Sequence, residues 1–184
     1  MSSQLPHLST SRLLLRALEK AQAETLCALA NGPNVADNTA SIPSPYTLED
    51  AHGFIDGMQE KFRSLGLISL GMHRRDIDAL VGIVSLRINA THHYGHLGGW
   101  VAADARNQGY AAEAARALMD YGFTELGLYR VGSQCFSRNK ESARVMEKIG
   151  LQYEGCRRGA YLKNGVYEDM LVFAAVREDW ESRS

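Results

Sequence analysis

His96-Leu97-Gly98-Gly99-Trp100-Val101-Ala102-Ala103-Asp104-Ala105-Arg106-Asn107-Gln108-Gly109-Tyr110-Ala111-Ala112-Glu113-Ala114-Ala115 changes character twice in one short run. Its first third reads as a strand, its middle as a turn and its end as the start of an Ala-rich helix. The turn carries Arg106-Asn107-Gln108-Gly109-Tyr110-Ala111, an R-x-x-G-x-A pattern. A helix N-terminus at this point exposes backbone N–H groups that have no internal acceptor, and its dipole favours anions. Gly109 permits a tight turn or a close ligand approach, and Arg106 can pair a phosphate through two parallel hydrogen bonds. Two readings stand at this stage: a phosphate-holding turn, or plain turn chemistry before a helix.

Working outward towards the C-terminus, the helix runs to about Glu125, with Ala111, Ala115, Leu118, Met119 and Gly122 able to face a sheet. Tyr129 to Ser137 reads as a strand, Asn139 as the N-cap of a helix over Lys140 to Ile149, and Gly150 as its stop. Leu151 to Arg158 and Val166 to Val176 read as two last strands around the hairpin turn Lys163-Asn164-Gly165. Towards the N-terminus, Leu67–His73, Ala79–Ile88 and Tyr94–Val101 suit an antiparallel meander. Thr47, with Asp50 three positions on, opens a helix from Leu48 to about Leu65. Gly32 to Tyr46 holds three of the four prolines and reads as a binding loop or as a plain surface connection. A helix over Glu19 to Asn31 and a strand over Ser11 to Ala17 complete the chain. A helix joining two strands after a meander makes those two strands parallel. The expectation is one α/β domain over residues 1–184, with a mixed, mostly antiparallel seven-stranded sheet and helices on both faces.

Composition narrows the function. The 184 residues suffice for one sizeable core, and a formal net charge of -1 gives no nucleic-acid footprint. Cys27, Cys135 and Cys156 are odd in number and widely spaced, which suits a reducing cytoplasmic setting rather than a disulfide framework or structural zinc. The N-terminus lacks a basic region followed by an apolar run, so no secretory signal is expected. No apolar stretch approaches the ~20 residues that span a bilayer. His92 and His96 share a face of an extended chain while His93 points away; with no acidic or cysteine partner at suitable spacing, no metal is expected. The G-x-x-x-x-G-K-[ST] of a P-loop nucleotidase is absent.

Four pieces taken together make the chain resemble the GCN5-related N-acetyltransferase (GNAT) family, and more closely its RimJ/RimL-like ribosomal-protein branch. They are the opening T-S-R-L-L-L-R, the core L-G-G-W-V-A-A-D-A-R-N-Q-G-Y-A-A-E-A, the segment S-R-N-K-E-S-A-R-V-M-E-K-I-G-L and the ending Y-E-G-C-R-R-G-A-Y-L-K-N-G-V-Y-E-D-M. The resemblance implies the GNAT fold, in which two central parallel strands, here Tyr94–Val101 and Tyr129–Ser137, splay apart around the pantetheine arm of acetyl-CoA. It implies that Arg106, Asn107, Gln108, Gly109, Tyr110, Ala111 and Ala112 hold the pyrophosphate, and that Asn139 and Ser142 lie beside the thiol. Asn107 stands where the family usually has Gly, and Asn tolerates a left-handed conformation. A homodimer is a further implication of the branch.

Acetyl transfer needs a neutral amine, a preorganised donor for the carbonyl oxygen and a route for the leaving thiolate. The expected N–H donor is Val101, with Trp100 and Ala102 as its alternatives. Ser142 is the candidate proton source for the thiolate, or else a good residue near a helix start. Asn139 is a cap and a candidate thiol neighbour. His96 stands where many relatives carry Glu, and it is either the base or an exposed strand histidine. Tyr161 occupies a region where some of the branch carries Glu. Cys135 reads as a small buried residue of a central strand. The leading expectation is transfer to the α-amine of a protein or peptide. A small-molecule amine is the alternative acceptor, and a non-catalytic acyl-CoA-binding module is the alternative class.

Overall fold

The structure is a computed structural model and describes residues 4–182. Eight strands form one sheet: β1 (Leu8–Ser9), β2 (Leu13–Arg16), β3 (Leu67–Arg74), β4 (Leu80–Asn89), β5 (Tyr94–Val101), β6 (Arg130–Phe136), β7 (Gln152–Lys163) and β8 (Val166–Val176). Their order across the sheet is β1-β2-β3-β4-β5-β6-β8-β7, and only β5 and β6 run parallel. The helices are α1 (Ala23–Ala30), α2 (Val35–Asn38), α3 (Leu48–Leu65), α4 (Tyr110–Thr124), α5 (Lys140–Ile149) and α6 (Arg177–Glu181).

The expected mixed sheet and parallel pair are present; the short helices α2, inside the expected Gly32–Tyr46 loop, and α6 were not expected, and three further differences concern the named elements. The sheet has eight strands rather than seven, because Leu8–Ser9 adds a two-residue edge pair to β2 that is too short to show any periodicity. The expected helix over Glu19–Asn31 opens as a 3-10 turn, Lys20–Gln22, before α1 begins. β7 continues past Arg158 to Lys163, and it absorbs Gly159 and Ala160 at an irregularity between Arg157 and Tyr161. Asn139 and Thr47 cap α5 and α3 as expected: Asn139 Oδ1 accepts from Ser142 N at 3.0 Å, and Thr47 Oγ1 from Asp50 N at 3.1 Å.

Successive strand residues point to opposite faces. Leu86 of β4 therefore packs with Leu97, Leu118, Phe123 and Val131 under α4, whereas Ile83 packs with Leu26, Ile55 and Met58 under α1 and α3. The parallel pairing of β5 with β6 covers only Tyr94↔Arg130, Gly95↔Val131 and His96↔Gly132. Beyond it, β5 stays on β4 to Val101 and β6 stays on β8 to Phe136, so the two central strands part. The splayed pair expected from the family resemblance is thus a feature of the fold.

β3 carries a fully buried histidine. His73 Nδ1 lies 3.2 Å from Gly71 O, an acceptor, so Nδ1 bears the proton and Nε2 accepts from the Gln22 amide at 2.8 Å. Burial, and then the charge of Arg16, push its pKa below the ordinary 6.5, with Asp78 opposing. The native ring is neutral, while the unfolded chain takes up a proton below about pH 6.5. Stability rises with pH wherever the unfolded state binds more protons. The contribution of His73 is therefore complete above pH 6.5 and is lost as pH falls towards the folded pKa. Urea unfolding should show wild-type stability dropping between pH 7.5 and 5.5, with each lowered histidine contributing at most about 1.4 kcal/mol per pH unit. His73→Gln should flatten that slope. An identical slope in the variant would contradict the assignment.

Candidate active site

The gap between β5 and β6 is lined by backbone. Ala102 N donates to Val81 O at 2.8 Å. Donors alternate along an antiparallel strand, so the N–H groups of Ala102, Trp100 and Gly98 face β4. Those of Val101 and Gly99 face the other way, where β6 has already left. This selects Val101 over its alternatives Trp100 and Ala102 as a free donor, and it adds Gly99, which sequence reasoning did not name. Gly99 holds φ +155, and a Cβ there would stand 2.5 Å from Ile83 O. Glycine is thus required by the backbone at the point where the donor is presented. At the fork itself, Ser133 Oγ donates to Leu97 O at 2.9 Å and takes up a carbonyl that has lost its strand partner.

A 3-10 turn, Ala103–Ala105, leads from β5 into the Arg106–Gly109 turn. Asn107 is left-handed at φ 60 and Gly109 at φ 84, so the tolerance argued for Asn107 is used. Alternating conformations of this kind gather successive N–H groups into an anion-binding nest. The first helical bond of α4 is Glu113 N to Gly109 O, which leaves Tyr110, Ala111 and Ala112 N–H without helical acceptors. Gln108 Nε2 folds back onto Asp104 O at 3.0 Å, and the Tyr110 ring is buried. The Arg106 side chain lies elsewhere than the sequence suggested. Its Nε donates to Val101 O at 3.3 Å and its Nη2 to Pro33 O at 2.7 Å. The nest is therefore a backbone device, and Arg106 ties the Pro33 loop to the end of β5.

On the α4–α5 side of the gap, Ser142 sits in the first turn of α5, capped by Asn139. Its hydroxyl lies near the buried Cys135 thiol on β6. Burial pushes that thiol up, while Ser142 and then Lys140 pull it down. The buried position of Cys135 was expected; its nearness to Ser142 was not, because a spacing of seven residues across a strand–turn–helix carries no periodic signal.

The opposite face of the gap carries different groups. Trp100 packs against the buried cluster that holds Leu26, Ile55, Met58 and Ile83 on the α1–α3 side, so its side chain lies away from the nest. His96 shares that face, and its Nδ1 is 3.1 Å from Tyr94 Oη. Burial, then Arg87, lowers the His96 pKa from 6.5, which keeps the ring neutral at pH 7. In the tautomer whose Nδ1–H donates to Tyr94 Oη, Nε2 keeps its lone pair and can accept a proton. His92 and His93 lie in the turn before β5, not on its extended run, and His93 is left-handed at φ 48. Among the described residues, no three metal-capable side chains cluster.

The residue 32–46 loop spans the mouth of the gap. Arg106 holds Pro33 O from the end of β5, and Arg138, just past β6, holds Asp37 O at 2.6 Å and Asn38 Oδ1 at 2.9 Å. Lys163 Nζ donates to Thr39 O at 2.9 Å and Tyr161 Oη to Ala40 O at 2.5 Å. Tyr161 is therefore a fastener of this loop. Glu168 pairs with Arg138 at 2.8 Å, and Asp169 accepts from Gly159 N at 2.7 Å.

Comparison with known proteins agrees with this geometry. Residues 12–152 match the family model described as an acetyltransferase (GNAT) domain. The chain is 34% identical over 181 residues to the uncharacterized N-acetyltransferase YnaD of Bacillus subtilis, covering 95% of this chain and 99% of that one. It is 26% identical to the spermidine N(1)-acetyltransferase of Vibrio cholerae over 95% and 98% of the two chains. Among solved structures, the ribosomal L7/L12 α-N-protein acetyltransferase RimL, in complex with coenzyme A, superposes with a TM-score of 0.85 at 19% identity, covering 95% and 99%.

The neutral ring of His96 has a kinetic consequence. Once kcat/KM is divided by the neutral fraction of the acceptor amine, its remaining acidic limb should lie below pH 6.5, since that limb marks protonation of a ring whose pKa is lowered. His96→Gln should cut kcat by about 100-fold and remove that limb, measured as thiol release from acetyl-CoA. An unaltered pH profile in the variant would exclude His96 as the base.

Proposed function

The chain belongs to the GNAT acetyltransferase family, and from that premise we propose that its acceptor is the α-amine of a peptide or protein N-terminus. It is an N-acetyltransferase that uses acetyl-CoA. What this co-substrate supplies when bound is an activated thioester. The nest of Asn107–Ala112 holds its pyrophosphate through backbone N–H groups. Val101 and Gly99 offer N–H donors to the carbonyl oxygen as negative charge develops there. Such donors are preorganised, because β4 fixes the strand that carries them. Ser142, near Cys135, donates a hydrogen bond to the departing thiolate and relays it a proton that water replaces on the hydroxyl. His96 accepts the proton of the incoming amine at Nε2, directly or through water. The acyl donor and the amine meet across β5, whose alternate residues face the two sides.

The observation that carries the acceptor reading is the cationic rim. Arg106 and Lys163 donate to carbonyls of the loop over the gap, Arg138 does so with its charge offset by Glu168, and Asp169 already accepts a backbone N–H. A polyamine brings several positive charges to such a rim and finds few free carboxylates. A peptide terminus brings one, and neighbouring cations favour its neutral, reactive form. The second reading, a polyamine acceptor, rests on the spermidine N(1)-acetyltransferase among the relatives.

Two measurements test these readings. Saturating acetyl-CoA should raise the melting temperature by about 5 °C or more, since a ligand bound only by the native state stabilises it. Gly109→Glu should abolish the shift, because it puts an L side chain on a left-handed residue of the nest, at φ +84, and presses it against the Arg12 guanidinium; an unaltered shift would mean the phosphate lies elsewhere. In an acceptor screen by thiol release, N-terminal peptides should outperform spermidine and spermine. Preferential turnover of polyamines would replace the α-amine reading with the second one.

A further inference from the structure

The opening Thr10-Ser11-Arg12 helped to identify the family and has no part in the chemistry described so far. In the fold it meets the nest from behind. Glu113, in the first turn of α4, accepts from Thr10 Oγ1 at 2.6 Å, Ser11 Oγ at 3.1 Å and Arg12 N at 2.9 Å, all at Oε1. Its Oε2 accepts from Arg12 Nε at 2.7 Å. The guanidinium so fixed lies 4.8 Å over the Tyr110 ring, and its Nη1 donates to Gln108 O at 2.8 Å. Its Nη2 is close enough that a Cβ on Gly109 would stand 3.3 Å from it.

The Gln108 carbonyl and the Gly109 N–H belong to one trans peptide plane and point in opposite directions. Whatever holds the carbonyl outward therefore aims the N–H inward. We propose that Arg12 is a positioning residue for the coenzyme A pyrophosphate: clamped by Glu113 and stacked on Tyr110, it holds Gln108 O and so directs the Gly109 N–H into the nest. The inference rests on the reading of Arg106–Ala112 as the pyrophosphate turn. It assigns the turn's rigidity to a side chain almost a hundred residues upstream. A free glycine-containing turn samples many orientations of that peptide, and each weakens anion binding in proportion to the time spent there. The planar guanidinium reaches a carboxylate and a carbonyl at once, which a lysine ammonium does with less geometric control.

The test compares two ligands that differ in the pyrophosphate and nucleotide. Kd values for coenzyme A and for pantetheine are measured by calorimetry on wild type and on Arg12→Gln, Arg12→Lys, Arg75→Gln and Gly109→Glu. Arg75 Nη1 donates to Thr10 O at 2.8 Å, so it anchors the same segment without touching the turn. Arg12→Gln should weaken coenzyme A about tenfold, as expected for a lost charge-assisted hydrogen bond, and pantetheine by no more than about twofold. Arg12→Lys should show a smaller loss in the same direction and serves in its place if Arg12→Gln does not fold. Arg75→Gln should match wild type for both ligands. Equal losses for both ligands, an equal effect of Arg75→Gln, or an unchanged coenzyme A Kd would overturn the role of Arg12. If Gly109→Glu abolishes coenzyme A binding in that last case, only Arg12 has been misassigned. If Gly109→Glu also leaves it unchanged, the pyrophosphate turn itself is wrong.

Discussion

After His96 and Gly132 the two central strands stop pairing, and most of the candidate chemistry follows from that break. Each strand keeps its outer partner, β4 for β5 and β8 for β6, so neither is free to close the gap. The inner backbone groups of Leu97 to Val101 then need partners from outside the sheet, because unpaired backbone polar groups are costly once water is excluded. The Ser133 hydroxyl satisfies the first of them. The donors beyond it, on Gly99 and Val101, face the gap, where the proposed reaction would set them against the acyl carbonyl. At the mouth, Arg106 and Arg138 reach from the ends of the parted strands to one loop and tie both ends to it.

The strand period of two then sorts the site. Leu97, Gly99 and Val101 look towards α4 and α5, where the nest and the Ser142–Cys135 pair lie; Tyr94, His96 and Trp100 look towards the α1–α3 side. One strand thereby presents N–H donors at its edge and a neutral imidazole on one face, which the proposed reaction would use for the acyl group and the amine. The lowered pKa of His96 keeps its ring unprotonated at neutral pH, as the role of base proposed for it requires.

Much of this was legible in the sequence where local chemistry decides. The Asn139 and Thr47 caps, the Lys163-Asn164-Gly165 hairpin, the left-handed Asn107 and the parallel pair all follow from short-range rules. What escaped depends on contacts between distant segments. Residues 33–40 are held through carbonyls and one asparagine amide, and a carbonyl leaves no mark in the residue type. Arg106 stood in a phosphate-like motif, yet it serves that loop. Trp100 stood beside the expected donor, yet its ring faces the other layer, because alternation sends neighbouring side chains to opposite sides. The choice among Trp100, Val101 and Ala102 needed the register against β4, which the sequence alone does not supply.

The central claim is that backbone N–H groups of the parted strand and the following turn bind the acyl donor. Amide hydrogen exchange resolved to single residues, with and without coenzyme A, tests it most directly. The account predicts slowed exchange on coenzyme A binding at Val101, Gly99 and Asn107–Ala112, with little change at Trp100 and Ala102, whose N–H groups already face β4. Protection that leaves Asn107–Ala112 untouched, or that falls on Trp100 and Ala102 in place of Val101 and Gly99, would contradict it.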